Sequence, residues 1–440
     1  MAQKIGLSFL SLLLIFGGLE FVARQVPVTG DAKTKLESLY LPPFPPKKPD
    51  YLRVFVYGGS SVQGLPVEKV GWVAQFDDQL RHVLGSKRDV EVYNLGWSGY
   101  NSTMVRHSLA NSIAYQPDLL IVYTGENEFI YPQLDAYEGL RWLTALKNKS
   151  SLIKLILSRQ QSPLAEYEPL SFKRPPYRVQ WLYYQIKMWL FRHNLEQMVK
   201  LAKRHKIPLV LVTPTANIKD WPAVDAKVTT LDHPLPQNQN AGWLYQQGRF
   251  IEAKDWDLIP WRAHSDQNNF IRSLADKTTV WVADAETDYF LNSPDYLPGF
   301  NFTIDNVHPN KEGAYLIAKT IIELLQQQKM VKPDWWADTK PLASLEEYLR
   351  RVNFSRQDEF DIYFKTARYA TKNPFFNFTA VKHYLDLAEK IERRDWRTAW
   401  LRAVIAWLET GKIVSPAGDL DLNLAKTQIP YIQEFLEATK

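Results

Sequence analysis

The chain has 440 residues, with 53 lysines and arginines against 48 aspartates and glutamates, 45% hydrophobic residues and no cysteine. Without thiols there is no disulfide framework, no thiolate zinc or iron–sulfur site and no cysteine nucleophile. A net charge of +5 is too dilute over this length for nucleic-acid binding, and a mean hydropathy of −0.31 excludes both a disordered chain and a polytopic membrane protein.

Residues 5–23 (IGLSFLSLLLIFGGLEFVA) are apolar apart from Glu20 near the end of the run. As a helix they would span about 28 Å, the thickness of a bilayer's hydrocarbon core. No A-x-A-like cleavage site follows, because Phe21 stands three before the bond after Ala23, so the run is expected to be an uncleaved single-pass anchor over residues 1–24. Lys4 precedes it, and Arg24, Lys33 and Lys35 follow; this charge pattern does not decide orientation, since long domains translocate largely regardless of it. Residues 25–50 end in LPPFPPKKPD and read as a semi-rigid proline tether.

The body follows. Strand signals at 52–57, 90–94, 118–123, 207–212 and 279–284 alternate with helical periodicity at 70–84, 101–114, 178–205 and 310–328. Short apolar runs separated by helix-length segments are what a parallel sheet covered on both faces requires, so residues 51–338 are expected to form an α/β, doubly wound, flavodoxin-like domain with a five-stranded parallel sheet. Two stretches, about 130–177 and 214–272, exceed ordinary βα loops and read as insertions; the second holds a helix, Gly turn, helix pattern at 244–254. Beyond 338 the strand signals stop, and 339–440 reads as an all-α C-terminal region. There Trp396, Trp400, Val404 and Trp407 recur on one helical face, the pattern of a packed seam.

Open α/β sheets bind ligands at the carboxyl ends of their strands. The residues found there are Ser60 after the first strand, Gly99 after the second, Asn127 after the third, and Asp305 and His308 after the fifth. Serine is a poor nucleophile until a base takes its proton; histidine does so near neutral pH, and a carboxylate fixes its tautomer. The N–H groups of Ser60 and Gly99 and the Asn127 side-chain amide are candidate donors to an oxyanion. No P-loop or G-x-G-x-x-G occurs, so no nucleotide cofactor is indicated. No metal is expected either: the other histidines, His82, His107, His193, His205, His233, His264 and His383, show no metal-like pairing, and His264 is the one to check against the crevice.

These residues stand in four blocks, Gly58-Gly59-Ser60, Asn94 to Gly99 (N-x-G-x-x-G), Gly125 to Glu128 (G-x-N-E) and Asp305 to His308 (D-x-x-H). In that order they resemble the SGNH, or GDSL-type, hydrolase family. The resemblance implies a Ser60, His308, Asp305 triad and an oxyanion hole from Ser60, Gly99 and Asn127. Gly59 departs from the usual G-D-S, a variant similar to a membrane-anchored bacterial branch with T-G-x-N-E in the third block. Ser61 is a rival nucleophile and, with Arg262, a candidate substrate-binding residue; Arg262 either meets an anionic substrate group or braces its insertion through Asp255 or Asp257.

The expectation is a membrane-tethered serine esterase or deacylase, its body periplasmic or extracytoplasmic, acting on an ester-bearing small molecule, glycan or lipid. One alternative is an O-acyltransferase acting on cell-envelope polysaccharide. Another is a catalytically degenerate scaffold that docks a protein partner on the C-terminal helices (340–440) and the helices at 240–262.

Overall fold

In the first strand Val54 and Val56 point to one side and Phe55 and Tyr57 to the other, and all four are fully buried. Alternate side chains buried in both directions require a packed layer on each face. The computed structural model describes residues 41, 44–85, 88–129, 150–151, 177–222, 241–257, 262–371, 377–393, 395–412 and 422–438. Contacts divide the chain into two units, Met1–Tyr40 with Tyr131–Glu168, and Leu41–Ile130 with Pro169–Lys440. The first lies almost wholly outside the described residues, and the description concerns the second.

The strands are β1 (Leu52–Gly58), β2 (Val90–Gly96), β3 (Leu119–Tyr123), β4 (Leu209–Val212) and β5 (Val280–Ala283), in the order β2-β1-β3-β4-β5. All four pairings are parallel. The order reverses at β1, between β2 and β3, where the loops after the strands diverge and leave a crevice. The helices in chain order are α1 (Ser60–Gln63), α2 (Trp72–Leu84), α3 (Ser102–Ser112), α4 (Tyr177–His205), α5 (Ala241–Gln246), α6 (Phe250–Asp255), α7 (Ser265–Ser273), α8 (Ala285–Asn292) and α9 (Lys311–Gln327). Val54 and Val56 pack with Trp72, Phe76 and Leu80 of α2 and Ile317 and Ile321 of α9. On the opposite face Phe55 and Tyr57 pack with Val105 and Leu109 of α3, Phe191 and Leu195 of α4 and Ile271 of α7.

Three features of the fold go beyond the pattern of the sequence. Helix α7, inside the stretch read as the second insertion, is the crossover between β4 and β5, and its Ile271 lies in the core beneath the sheet. The far end of the tether is docked: Phe44 is 8% exposed and stacks on Phe55, and the Pro45 carbonyl accepts from Arg53 Nη2 at 3.1 Å. An aromatic ring with a slot to fill outweighs the extended preference of its neighbouring prolines. The C-terminal helices α10 (Leu345–Arg351), α11 (Arg356–Tyr369), α12 (Phe378–Ile391), α13 (Trp396–Thr410), α14 (Leu422–Gln428) and α15 (Ile432–Ala438) have an apolar core of their own. Trp400, Val404 and Phe435 lie in it with Trp396 and Trp407 against its edge, but Trp221 and Ile304 of the α/β body belong to it as well. Among the described residues no helix is long and apolar enough to cross a membrane; residues 5–23, and nearly all of 130–176, lie outside them.

Candidate active site

Strand β1 runs into Gly58 and Gly59, and Gly59 is the N-cap of the four-residue helix α1, whose first residue is Ser60. A Cβ on Gly59 would lie 2.3 Å from Asn127 Nδ2. The departure from G-D-S therefore has a steric reason here: any side chain at 59 would displace the Asn127 amide. The helix is held from below, because Asn94 Nδ2 donates to the Val62 carbonyl at 2.8 Å while Asn94 Oδ1 accepts from Gly96 N at 2.9 Å. Ser60 is 7% exposed.

The segment that carries His308 is a loop closed on itself. Ile304 N donates to the His308 carbonyl at 2.9 Å, Asn310 N donates to the Phe302 carbonyl at 3.0 Å, and Asn310 caps α9. Inside the loop Asp305 Oδ1 accepts from the backbone N–H of Val307 at 2.9 Å and of His308 at 2.7 Å, an arrangement Asp favours in turns. Its Oδ2 is 2.6 Å from His308 Nδ1, and His308 Nε2 is 2.8 Å from Ser60 Oγ. An ionised Asp305 is acceptor only, so Nδ1 carries the proton and Nε2 accepts from the serine hydroxyl. Burial favours the neutral imidazole, but the charge and hydrogen bond of Asp305 outweigh it and hold His308 above its ordinary value.

The middle blocks meet beside Ser60. Gly99 has φ +78°, a conformation that L side chains rarely adopt. Asn127, 6% exposed, donates from Nδ2 to the Tyr100 carbonyl at 2.9 Å. Glu128 explains the last letter of its block: its two carboxylate oxygens accept from Ser102 N and Ser102 Oγ, each at 2.8 Å. That ties the loop after β3 to the start of α3, and so fixes Asn127 relative to Gly99. Ser60, Asp305, His308 and Asn127 are thus joined or adjacent.

Ser61 and Arg262 do not line the crevice as substrate-binding residues. Consecutive positions on a helix face different ways, and while Ser60 meets His308, Ser61 is 1% exposed and donates to Glu126 Oε1 at 2.6 Å. Arg262 is 3% exposed; its Nη1 donates to the carbonyls of Asn217 and Trp221, the latter at 2.8 Å, so the bracing role is the one it performs, with main-chain partners in place of a direct carboxylate bond. His264 is 1% exposed, bonded through Nδ1 to Tyr184 Oη at 3.0 Å, and burial lowers it to about 3, so it stays neutral.

Glu126 was not legible, because it fills the unspecified position of G-x-N-E. It is 2% exposed, and burial pushes its carboxyl up to about 7 against the pull of the Ser61 hydrogen bond and the His308 charge. The groups around it are Ser61, Tyr123, Tyr289, Asp305 and His308. A cavity of about 330 Å³ lies against Asp305 and His308, and its far wall is α11, with Lys365, Thr366 and Arg368. It shares Leu65, Pro66 and Ile304 with a neighbouring cavity of about 440 Å³ whose further lining includes Val70, Phe354 and Ile362.

Residues 56–316, more than half of the chain, match the GDSL-like lipase/acylhydrolase family model. Similar solved structures include a member of the lipolytic protein G-D-S-L family from Veillonella parvula (14% identity, covering 62% of this chain and 98% of that one, TM-score 0.34). A GDSL-like lipase from Bacteroides thetaiotaomicron is similar over 63% of this chain and 88% of that one (15% identity, TM-score 0.31). A catalytic mutant of the acetylxylan esterase Axe2 from Geobacillus stearothermophilus is similar over 62% and 92% (14% identity, TM-score 0.33). No curated protein matches the chain.

Proposed function

Because the chain belongs to the GDSL-like lipase/acylhydrolase family, we propose that it is a serine esterase or deacylase working through Ser60, His308 and Asp305. The observation that carries this reading is the unbroken bond path from Ser60 Oγ to His308 Nε2 (2.8 Å) and from His308 Nδ1 to Asp305 Oδ2 (2.6 Å). Ser60 Oγ attacks the ester carbonyl as His308 Nε2 takes its proton, and Asp305 stabilises the imidazolium that results. The oxyanion receives the N–H groups of Ser60 and Gly99 and the Asn127 amide, one of whose N–H groups is committed to Tyr100 while the other is the donor available. Collapse breaks the bond to the alcohol, which leaves with the proton from His308. Water then repeats the sequence on the acyl-enzyme, with His308 as base. Residues 5–23, by their apolar length, anchor this body to a membrane on the extracytoplasmic side; retention of the full chain in membranes washed with alkaline carbonate, and its digestion by protease added to spheroplasts, test that placement.

The activity is tested by hydrolysis of a short-chain aryl ester by the purified full-length chain. Ser60→Ala is expected to lower kcat by about 10⁶; retention of activity in that variant overturns the assignment. A second reading, acyl transfer to a carbohydrate hydroxyl in place of water, is favoured by Trp97. It stands two residues before Gly99 and is 59% exposed, an aromatic face of the kind sugars stack on. Mass spectrometry of products with and without an oligosaccharide acceptor separates the two. The scaffold reading is disfavoured by the intact bond path.

A further inference from the structure

Helix α11 reaches the catalytic crevice with two cations. Lys365 and Arg368 line the same cavity of about 330 Å³ as His308 and Asp305. Three apart, they share a helix face. Neither has a carboxylate partner among the described residues. Arg368 is half-buried; its Nη2 donates to the Thr427 carbonyl at 2.9 Å and its Nη1 to Gln428 Oε1 at a long 3.4 Å. Its Nε is buried without any acceptor. Burial with no anion beside it holds the guanidinium below the ordinary arginine value. Lys365 is exposed and makes no ion pair with another described residue.

Among the described residues the one carboxylate in the cavity lining is Asp305, and it is committed to two backbone N–H groups and the His308 ring. Three nearby cations do have carboxylate partners: Lys311 with Glu359, Arg397 with Asp395, Arg402 with Glu389. A partly desolvated cation without a counter-ion is costly, and the cost is relieved when an anion enters. Arginine, with a fork of planar donors, suits carboxylate and phosphate oxygens in particular.

We propose that Lys365 and Arg368 are specificity-determining residues that receive a carboxylate or phosphate group of the substrate, so that the preferred ester is anionic. The inference rests on the serine esterase reading of the same site. It also gives the C-terminal helices a task, because their α11 supplies one wall of the crevice and its charge.

The test measures kcat and KM of the full-length chain on phenyl acetate and on three anionic relatives. In 4-acetoxybenzoate and 4-acetoxyphenyl phosphate the anion is on the alcohol half; in monophenyl glutarate it is on the acyl half. The readout is the ratio of kcat/KM for each anionic ester to that for phenyl acetate, compared between wild type and variants so that leaving-group differences cancel. Arg368→Gln is expected to lower at least one ratio ten-fold or more, chiefly through KM, and the ester affected identifies carboxylate or phosphate. Lys365→Glu, on an exposed side chain whose replacement threatens no packing, is expected to lower the same ratio several-fold. Ratios that stay constant in both variants, while phenyl acetate is cleaved through Ser60, overturn this inference alone. If the wild type cleaves none of the esters, or Ser60→Ala cleaves them as well, the esterase reading falls and this inference with it.

Discussion

Two regions border the same crevice and are built on opposite rules. In the strand-end loops the side chains that frame the site are held by more than one bond: Asp305 uses both oxygens, Glu128 both of its own on Ser102, and Asn94 braces α1 from both ends of its amide. On α11, among the described residues, Arg368 has a buried Nε without an acceptor and Lys365 has no ion pair. Full engagement fixes atoms within tenths of an ångström, which bond-making requires. Unmet charge is what a binding surface keeps for its ligand. On these proposals chemistry and selectivity sit on different parts of the chain, one on the sheet and the other on the helical region.

Substitutions can break the first region in graded steps. After Ser60→Ala, the largest effect expected is that of Asp305→Asn, about 10⁴ in kcat, because the amide no longer fixes the tautomer that leaves Nε2 free to accept. Steady-state kinetics on the aryl ester reads it, and a loss under ten-fold would show that Asp305 does not act on His308. Asn127→Ala is expected to lower kcat by about 10²–10³, the usual effect of removing one oxyanion donor, with little change in KM. An equal rise in KM with kcat held would make Asn127 a ground-state binding group instead.

Glu126→Gln sharpens the comparison at the smallest scale. Where Glu126 is ionised, above its own value of about 7, its charge raises His308, so removing it lowers the histidine there, and the neutral, active imidazole survives to lower pH. The acid limb of kcat/KM, expected above pH 6.5 in the wild type because His308 is raised above that ordinary value, should move downward in the variant. A limb that stays in place would mean that Glu126 is electrically remote from the site. Gln still accepts from Ser61, so a modest change in the maximal rate is expected.

Much of the fold was legible in the sequence for a definite reason. Five short apolar runs alternating with amphipathic helices can be satisfied by few arrangements, and glycine turns at the strand ends mark where the chemistry sits. Ser60, Asp305, His308 and Asn127 stood out because they follow strand ends, in four blocks that resemble a known family in their order. Ser61 was misread because sequence alone does not say which of two adjacent serines a four-residue helix turns inward. Arg262 was undecided because main-chain carbonyls are an invisible partner in a sequence. Glu126 occupies a free position of its motif, and Lys365 and Arg368 come from a helix far along the chain whose face is set by packing against Ile304. α7 was absorbed into an insertion because helical periodicity does not say what a helix lies against.

The most direct measurement is labelling of the full-length chain with a serine-directed fluorophosphonate, followed by peptide mass spectrometry. One adduct is expected on Ser60, absent in Ser60→Ala and formed far more slowly in His308→Ala. No adduct in the wild type, or an adduct on Ser61, would contradict the account.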